Sequence, residues 1–276
     1  MQILVSRIIL TISICIPVVS GKFLSKCMDS IFSSSYTDFE IIVNDSSVNP
    51  KISDLLNQYD ARIIKKSTRS FESRLLTVRE SSGDYIFLMD ETRLITTQLL
   101  EKIASMHNRM IAIAEKEIGN GLITRLTNMD KDAIMSISPG DTSPLSNKAV
   151  IPRIYDRQII LEAFDSIVQK LPQEMVRNIV GLDLELIYYE SWQQTKDLGF
   201  IKSREIMHFG DMDYASLFRK YYRYGKSQKL LKKTVYSDLA NLGGRNRAGL
   251  LVKNRAATLP IQILRGFPFL LGYISG

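Results

Sequence analysis

Short apolar runs and amphipathic runs alternate through the first 120 residues, and few folds accommodate that alternation. The apolar runs have the length and the β-branched content of strands, whereas the runs between them have helical periodicity. The predicted strands are Ile9–Pro17, Glu40–Asn44, Arg62–Lys66, Tyr85–Met89 and Met110–Lys116, and the predicted helices are Lys22–Phe32, Ile52–Gln58, Phe71–Ser81 and Thr97–His107. We therefore predict an α/β fold whose sheet is mostly parallel and carries helices on both faces.

Polar residues follow two of these strands directly. In an open α/β sheet, ligands bind beyond the carboxyl ends of the strands, which is where Asn44, Asp45 and the segment Met89–Thr92 fall. We expect these residues to contribute to one binding site.

The rest of the chain is less regular in sequence. Residues 120–148 are rich in Asn, Asp, Ser, Gly and Pro and indicate an irregular loop. A strand at Ile151–Tyr155 and helices at Arg157–Lys170, Asp183–Asp197 and Asp213–Tyr224 are predicted beyond it, followed by a basic, mostly helical tail.

Positive charge is concentrated in that tail. The chain has a net charge of +7, but residues 202–276 hold 14 Lys and Arg against four Asp and Glu, whereas residues 1–201 hold 22 against 25. Such a distribution favours an anionic partner for the tail, namely a phospholipid surface, a phosphorylated substrate or nucleic acid. Without a nucleic-acid-binding motif, we expect no nucleic acid partner.

Two apolar stretches raise the question of membrane contact. Ile8–Val19 has almost no charged n-region and indicates a buried strand rather than a signal peptide. Leu259–Tyr273 is broken by Pro and Gly, so it either lies in the headgroup region of a bilayer or packs against the core of the protein. Cys15 and Cys27 cannot form a disulfide framework, which favours a reducing compartment.

Four groups of residues, in this order along the chain, resemble the motifs of the family 2 inverting glycosyltransferases with the GT-A fold. The first comprises Ile14–Val18, Phe23–Ile31 and Asp38–Ser47; the second comprises Arg74 and Gly83–Asp90; the third is Gly181–Leu186; the fourth is Phe218–Ser227. The fourth resembles a tail segment of members that act on membrane-bound acceptors. Since the order and spacing also match, the resemblance extends over most of residues 11–227.

The resemblance implies a role for individual residues. Pro17, Val19, Asp45, Arg74 and Asp90 correspond to positions that contact the nucleotide sugar. A carboxylate can accept hydrogen bonds from a base or a ribose, and a guanidinium matches phosphate oxygens. The alternatives are a turn-forming aspartate at Asp45 and an ordinary helix-surface arginine at Arg74.

The third motif implies a general base. Asp183 matches the residue that would deprotonate the acceptor hydroxyl, with Glu185 as the substitute candidate, and Leu182 replaces an acid that usually precedes the base. Asp183 is also suited to cap the helix that begins there, and the two roles are compatible.

The resemblance also implies a divalent cation, Mg²⁺ or Mn²⁺, although the Asp-x-Asp element is altered. In one alignment Asp90 is the first acid and Thr92 replaces the second; in the other, Met89 replaces the first and Glu91 is the second. Asp90 and Glu91 are predicted ligands, because such cations accept oxygen ligands. The resemblance adds His208, which stands where some members of the family place a C-terminal histidine that reaches the metal or the diphosphate.

Together these observations predict two regions, residues 1–210 with the GT-A nucleotide-sugar-binding and catalytic domain and residues 211–276 with a basic amphipathic helical tail. The expected function is inverting transfer of a sugar from a nucleoside-diphosphate sugar to a lipid-linked or glycan acceptor. The expected location is peripheral, on an anionic surface at the cytoplasmic face of the cell membrane. The alternative is a catalytically weak binding or assembly subunit of a glycan-synthesis complex, which the altered motifs allow.

Overall fold

The computed structural model describes residues 10–136, 142–145, 151–210, 213–245 and 247–276. Its strands are β1 (Ile12–Val18), β2 (Phe39–Asp45), β3 (Arg62–Lys65), β4 (Tyr85–Leu88), β5 (Arg93–Ile95), β6 (Met110–Glu117), β7 (Ile154–Asp156) and β8 (Leu198–His208). Its helices are α1 (Leu24–Phe32), α2 (Pro50–Leu56), α3 (Ser70–Arg79), α4 (Leu99–Ala104), α5 (Leu122–Ser136), α6 (Arg157–Lys170), α7 (Gln173–Asn178), α8 (Asp183–Gln194), α9 (Tyr214–Leu231), α10 (Ser237–Arg245) and α11 (Arg247–Ser275).

All the described strands belong to one sheet, in the order β3-β2-β1-β4-β7-β6-β8-β5. The pairs β1–β2, β1–β4, β2–β3 and β6–β8 are parallel, whereas β7 and β5 pair antiparallel with their neighbours. The prediction of a mostly parallel α/β sheet with helices is confirmed. The short strand β7 lies between β4 and β6, so it brings the residues beside it to the middle of the sheet.

Strand β1 is apolar because both faces of the sheet are covered. Every residue of β1 is buried. Ile14 and Ile16 belong to the hydrophobic cluster on one face, and Cys15 belongs to the cluster on the other, as the two-residue period of a strand requires. Cys15 and Cys27 are both free and fully buried, and burial raises the pKa of each thiol to about 12.

The prediction of a loop over residues 120–148 is wrong for the part that forms α5, and residues 137–141 and 146–150 lie outside the described residues. Tertiary packing stabilises this helix despite its Thr, Asn and Asp content, because it packs against β6 and α11. Asp130 of α5 is buried and accepts a hydrogen bond of 2.5 Å from Arg265 of α11.

Strands β5 and β8 were not among the predicted elements. Both are needed to complete the sheet, since among the described strands β5 pairs only with β8, and β8 pairs in parallel with β6. The helix predicted at Asp213–Tyr224 continues to Leu231, and the predicted helical character of the tail is confirmed for its described residues.

The C-terminal helix α11 packs against α9 and α5. At Gly225 of α9 and Gly272 of α11 the two helices approach so closely that an added Cβ would lie less than 3.0 Å from the backbone of the opposite helix. Leu231 at the end of α9, together with residues that follow it, is buried in one of the two main hydrophobic clusters. The division into regions at residue 210 stays a prediction.

The outward face of α11 carries a row of exposed apolar side chains, which we call the α11 stripe: Leu259, Ile263, Phe267, Leu270 and Ile274. Their spacing of three and four residues puts them on one side of a helix. Within the described part of the chain, no helix combines the length and the apolarity that crossing a membrane requires.

Candidate active site

Asp45 ends β2, directly beside Val18 at the end of β1. Its carboxylate is buried and accepts hydrogen bonds from Lys65 Nζ at 2.5 Å and from the backbone N–H of Ser47 at 2.8 Å. Burial opposes ionisation, but these hydrogen bonds outweigh it and lower the pKa of Asp45. Pro17 is buried within β1 and Val19, which follows the strand, is exposed, so only Val19 presents its side chain to solvent.

Arg74 connects two other predicted site residues, Asp90 and Asp183. It lies on α3, is 4% exposed, and donates from Nε to Asp183 at 2.9 Å and from Nη2 to Asp90 at 2.5 Å. Its Nη1 also donates to the backbone carbonyl of Met89 at 3.1 Å. One guanidinium therefore holds together carboxylates that are 93 positions apart in the sequence.

Asp183 begins α8, and the chain before it turns sharply. Gly181 has a φ of +91°, and its missing side chain leaves room for the ring of Tyr224 on α9. The Asp183 carboxylate also accepts a hydrogen bond of 2.5 Å from Ser70 Oγ. Burial opposes ionisation of Asp183, but the charge of Arg74 and the hydrogen bonds outweigh it and lower its pKa. At neutral pH, Asp183 is thus an ionised carboxylate.

Glu185, two residues further on the same helix, has the opposite electrostatic environment. Burial and the negative charge of Asp183 raise the pKa of Glu185 to about 7. The two carboxyl groups on the first turn of α8 therefore have very different pKa values, since that of Asp183 is lowered and that of Glu185 is raised. Such a difference in pKa is typical of acid and base residues in active sites.

Glu91 faces away from this group. Its Oε1 accepts hydrogen bonds from the backbone N–H and the hydroxyl of Ser20, at 3.0 and 2.9 Å, and its Oε2 accepts one from the N–H of Gly21 at 2.6 Å. Both oxygens therefore bind the turn between β1 and α1, and the function of Glu91 in this structure is to fix that turn.

Two further arginines surround Asp90. Arg93, at the start of β5, donates to Asp90 Oδ2, and Arg153 Nη1 lies 3.7 Å from the same oxygen. Glu115 of β6 accepts hydrogen bonds from Nε of both, at 3.2 Å from Arg93 and 3.1 Å from Arg153. Both arginines are at least nine-tenths buried. Burial and the charge of Arg153 lower the pKa of Arg93 to about 10, which leaves it charged at neutral pH.

Arg153 occupies a fixed position between two strands. Its backbone carbonyl accepts from the N–H of Leu88, and its own N–H donates to the carbonyl of Ile111. The buried Nη1 of its side chain has no hydrogen-bond partner among the described residues. A buried donor without a hydrogen bond is costly, so this atom is suited to bind a group that the chain itself does not supply.

His208 ends β8 directly opposite Arg93. Its Nδ1 lies 2.9 Å from Glu117 Oε1, and Lys131 of α5 lies 2.8 Å from the same oxygen. Burial and the nearby charge of Arg93 lower the pKa of His208 to about 4, so the imidazole is neutral at pH 7.

The residues present do not fit a divalent cation. Among the described residues, no group of three or more His, Cys, Asp or Glu side chains is arranged to hold a metal. Both oxygens of Asp90 face guanidinium groups, Glu91 binds the turn after β1, and Arg93 stands beside His208. A cation between Asp90 and His208 would face the fixed positive charge of Arg93.

Of the predicted site residues, Arg74, Asp90 and Asp183 are joined by hydrogen bonds, whereas the hydrogen bonds of Asp45 among the described residues go to Ser47, Ser53 and Lys65. Arg93, Glu115 and Glu117 were not among the site residues predicted from the sequence. One signal in the sequence was Arg93. It comes directly after Thr92, the residue that replaces an expected acid, and so puts a positive charge where a negative one was expected. Another was the pair Glu115 and Glu117, which are two apart on a strand and so share a face.

A basic cavity of about 690 Å³ lies between the turn after β1 and helix α9. Ser20, whose backbone binds Glu91, contributes one wall, and the opposite wall includes Arg219 and Arg223 with the rings of Phe218 and Tyr222. Tyr224 on the same helix packs at Gly181, so α9 connects this cavity with the start of α8.

Part of this site lies in a segment that matches a known protein family. Residues 13–115 match the sequence profile of glycosyl transferase family 2, a segment that contains Asp45, Arg74, Asp90 and Arg93. A search of curated protein sequences finds no match.

The fold is similar to that of several solved structures. Residues 1–349 of S. aureus TarS are 14% identical, with a TM-score of 0.54 over 95% of this chain and 81% of that one. TarS 1–349 in complex with UDP-GlcNAc is 13% identical, with the same TM-score and coverage. The mannosyltransferase PcManGT from Pyrobaculum calidifontis, in complex with GDP-Man and Mn²⁺, is 10% identical, with a TM-score of 0.58 over 96% of this chain and 75% of that one.

These findings confirm the resemblance seen in the sequence, including the GT-A-like arrangement of sheet and helices. Residues 13–115 thus match glycosyl transferase family 2, and the chain has the GT-A-like fold of these solved structures.

Proposed function

We propose that this protein transfers a hexose-type sugar, with inversion, from a nucleoside-diphosphate sugar to a hydroxyl group of a lipid-linked or glycan acceptor. The observation that carries the proposal is the bridge that Arg74 makes between Asp90 and Asp183. It puts a phosphate-binding guanidinium one hydrogen bond away from an ionised carboxylate. Inverting transfer needs those two functions next to each other, since the acceptor attacks the carbon that the diphosphate leaves.

In this reaction Asp183 is the general base. The acceptor oxygen forms a bond to the anomeric carbon from the side opposite the diphosphate, and the acceptor proton moves to the Asp183 carboxylate. The bond between the anomeric carbon and the diphosphate oxygen breaks, and its electron pair leaves with the diphosphate. Asp183 returns the proton to solvent after the product departs.

Arg74 couples donor binding to the basicity of Asp183. Without donor, its hydrogen bond lowers the pKa of Asp183, which weakens the carboxylate as a base. Diphosphate oxygens that accept from Arg74 compete with that hydrogen bond, and a carboxylate released from a guanidinium regains basicity. The base therefore becomes effective when the donor is bound.

Asp45 is proposed to accept from the nucleobase or the ribose of the donor. It lies at the carboxyl end of β2, the edge of an α/β sheet at which ligands bind. The solved relatives in fold bind UDP-GlcNAc and GDP-Man, so uridine and guanosine diphosphates are the first nucleotides to test.

Nucleotide binding is tested by thermal unfolding in the presence of Mn²⁺. UDP, GDP or one of their sugars, at about 100 times its Kd, should raise the Tm by about 5–10 °C. Asp45→Asn should weaken binding by about 10-fold, whereas Asp54→Asn, an exposed change on the neighbouring helix α2, should leave it unaltered. A folded protein that none of these nucleotides stabilises would contradict the proposed function.

The basic cavity beside α9 supports an anionic, lipid-linked acceptor. Arg219 and Arg223 supply positive charge, and Phe218 and Tyr222 supply aromatic surface. Guanidinium groups bind phosphate oxygens bidentately, and aromatic rings suit the boundary between lipid and water. Helix α9 also carries Tyr224, which packs at Gly181 just before α8, so the cavity and the proposed base are next to the same helix.

The α11 stripe supports peripheral attachment to the cytoplasmic face of the cell membrane. Five apolar side chains point outward from a helix whose other face packs on α9 and α5. Lys229 of α9 donates to the backbone carbonyl of Ile274 at 3.1 Å, and cations next to an apolar face favour binding to anionic lipid.

Membrane attachment is tested by sedimentation with vesicles that contain phosphatidylglycerol. Replacing both Ile263 and Phe267, which are 61% and 57% exposed, by glutamate should lower the partition constant by at least about 10-fold. Val48→Glu, at a fully exposed position in the loop before α2, is the matched control and should bind as well as the unmodified protein. Equal sedimentation of the double variant would refute attachment through the α11 stripe.

A further inference from the structure

We propose that guanidinium groups replace the divalent cation in this protein, and that Arg93 and Arg153 together with Arg74 bind the donor diphosphate without metal. This inference rests on the proposed nucleotide-sugar function and names the groups that neutralise the charge of the leaving diphosphate. It follows from the disagreement between the cation that the family resemblance implies and the residues that the chain provides.

The first observation is that the residues expected to bind the metal are either replaced or bound to other groups of the protein. Thr92 stands where the second acid of the Asp-x-Asp element is expected, and Glu91 uses both oxygens on the turn at Ser20 and Gly21. Asp90 remains, but it is bound by Arg74 and Arg93 through different oxygens. A carboxylate that already has several cationic partners is a poor ligand for a metal cation.

The second observation is the arrangement of positive charge around that carboxylate. Arg74, Arg93 and Arg153 come from three separate segments of the chain and meet at Asp90. Glu115 accepts from Nε of both Arg93 and Arg153, which orients their planes and leaves terminal nitrogens directed toward Asp90. A metal ion in a related site neutralises diphosphate oxygens, and a set of oriented guanidinium groups can do the same.

The third observation concerns Nη1 of Arg153, the atom that lies 3.7 Å from Asp90 Oδ2. Arg153 is 8% exposed, and its buried Nη1 has no hydrogen-bond partner among the residues that the structure describes. A diphosphate oxygen would satisfy this donor. It would also take the place of Asp90 at the other guanidinium groups, since phosphate and carboxylate oxygens bind them with the same geometry.

Isothermal titration calorimetry of UDP and GDP, with EDTA in one series and Mn²⁺ in the other, tests this assignment. The nucleotide that binds should have the same Kd, within about 3-fold, in both series. Arg153→Gln should weaken binding in EDTA by about 10- to 100-fold. Arg109→Gln removes an exposed arginine paired with Asp156 and should leave the Kd unchanged.

Arg153→Lys guards against misfolding of the glutamine variant, because it keeps the positive charge beside Glu115 and removes only the planar fork. It should fold with an unaltered circular dichroism spectrum and still bind the nucleotide at least about 10-fold more weakly in EDTA. Binding that requires Mn²⁺, or a Kd in EDTA that neither Arg153 variant changes, would overturn the inference while leaving the proposed function in place. No binding in either series would overturn both.

Discussion

Asp183→Asn should lower the rate of sugar transfer, and of donor hydrolysis by water, by about 10²- to 10⁴-fold. Asparagine preserves the size of the side chain and an oxygen that can accept from Arg74 and Ser70, so the fold and donor binding should persist. What it lacks is a carboxylate that can take up the acceptor proton. The measurement is the release of nucleoside diphosphate from the nucleotide sugar that stabilises the protein most.

Asp165→Asn is the matched control for this change. Asp165 is also an aspartate that accepts from an arginine, Arg79, but both side chains are more than half exposed at the surface. Its removal should leave turnover within about 2-fold, since exposed ion pairs contribute little. If Asp183→Asn and Asp165→Asn turned over donor equally well, the base would have to be another residue, or the protein would act as a binding or assembly subunit rather than as an enzyme.

Gly225→Ala should destabilise the protein by about 3 kcal/mol, with a fall in Tm of about 6–12 °C. A methyl group at this position of α9 would meet the backbone carbonyl of Phe269 and the backbone nitrogen of Tyr273 on α11. Backbone atoms of a helix cannot turn aside as a flexible side chain can, so α11 must shift as a whole. Partial loss of its contacts with α9 should also make α11 more sensitive to proteolysis.

Gly266→Ala isolates the effect of that clash. Gly266 also lies in α11, but an added methyl group there would have nothing within 4 Å. The substitution should stabilise the protein by about 0.5–1 kcal/mol, because alanine is the better helix former. Thermal unfolding of the two variants side by side checks the prediction, and equal Tm values would show that the close approach of α9 and α11 is not needed for stability.

The parts of the fold that local patterns determine were predictable. Strands β1 to β4 and the helices between them have unbroken apolar or amphipathic runs, and their bounds agree with prediction to within a few residues. Helix α5 was not predictable in this way, because its polar sequence is stabilised by contacts with β6 and with Arg265, which is 135 positions away from Asp130. Strands as short as β5 carry too few residues to have a recognisable period.

The candidate site likewise has residues that local motifs identify and contacts that only the folded topology creates. Asp45, Arg74, Asp90 and Asp183 belong to motifs that can be recognised one segment at a time. The contacts of Arg153 with Asp90 and Glu115 depend instead on the insertion of β7 between β4 and β6, a topology that no local pattern encodes. The orientation of Glu91 toward Ser20 depends in the same way on how the turn after β1 folds back.

The burial of both native cysteines has a practical consequence for spectroscopy. Since Cys15 and Cys27 are fully enclosed and their thiols do not ionise near neutral pH, maleimide reagents should leave them unmodified in the folded protein. A cysteine introduced in place of Ile263 could then be labelled selectively with a fluorophore or a nitroxide. Its emission or its collision rate with quenchers would report how deeply the outward side of the last helix enters a lipid layer.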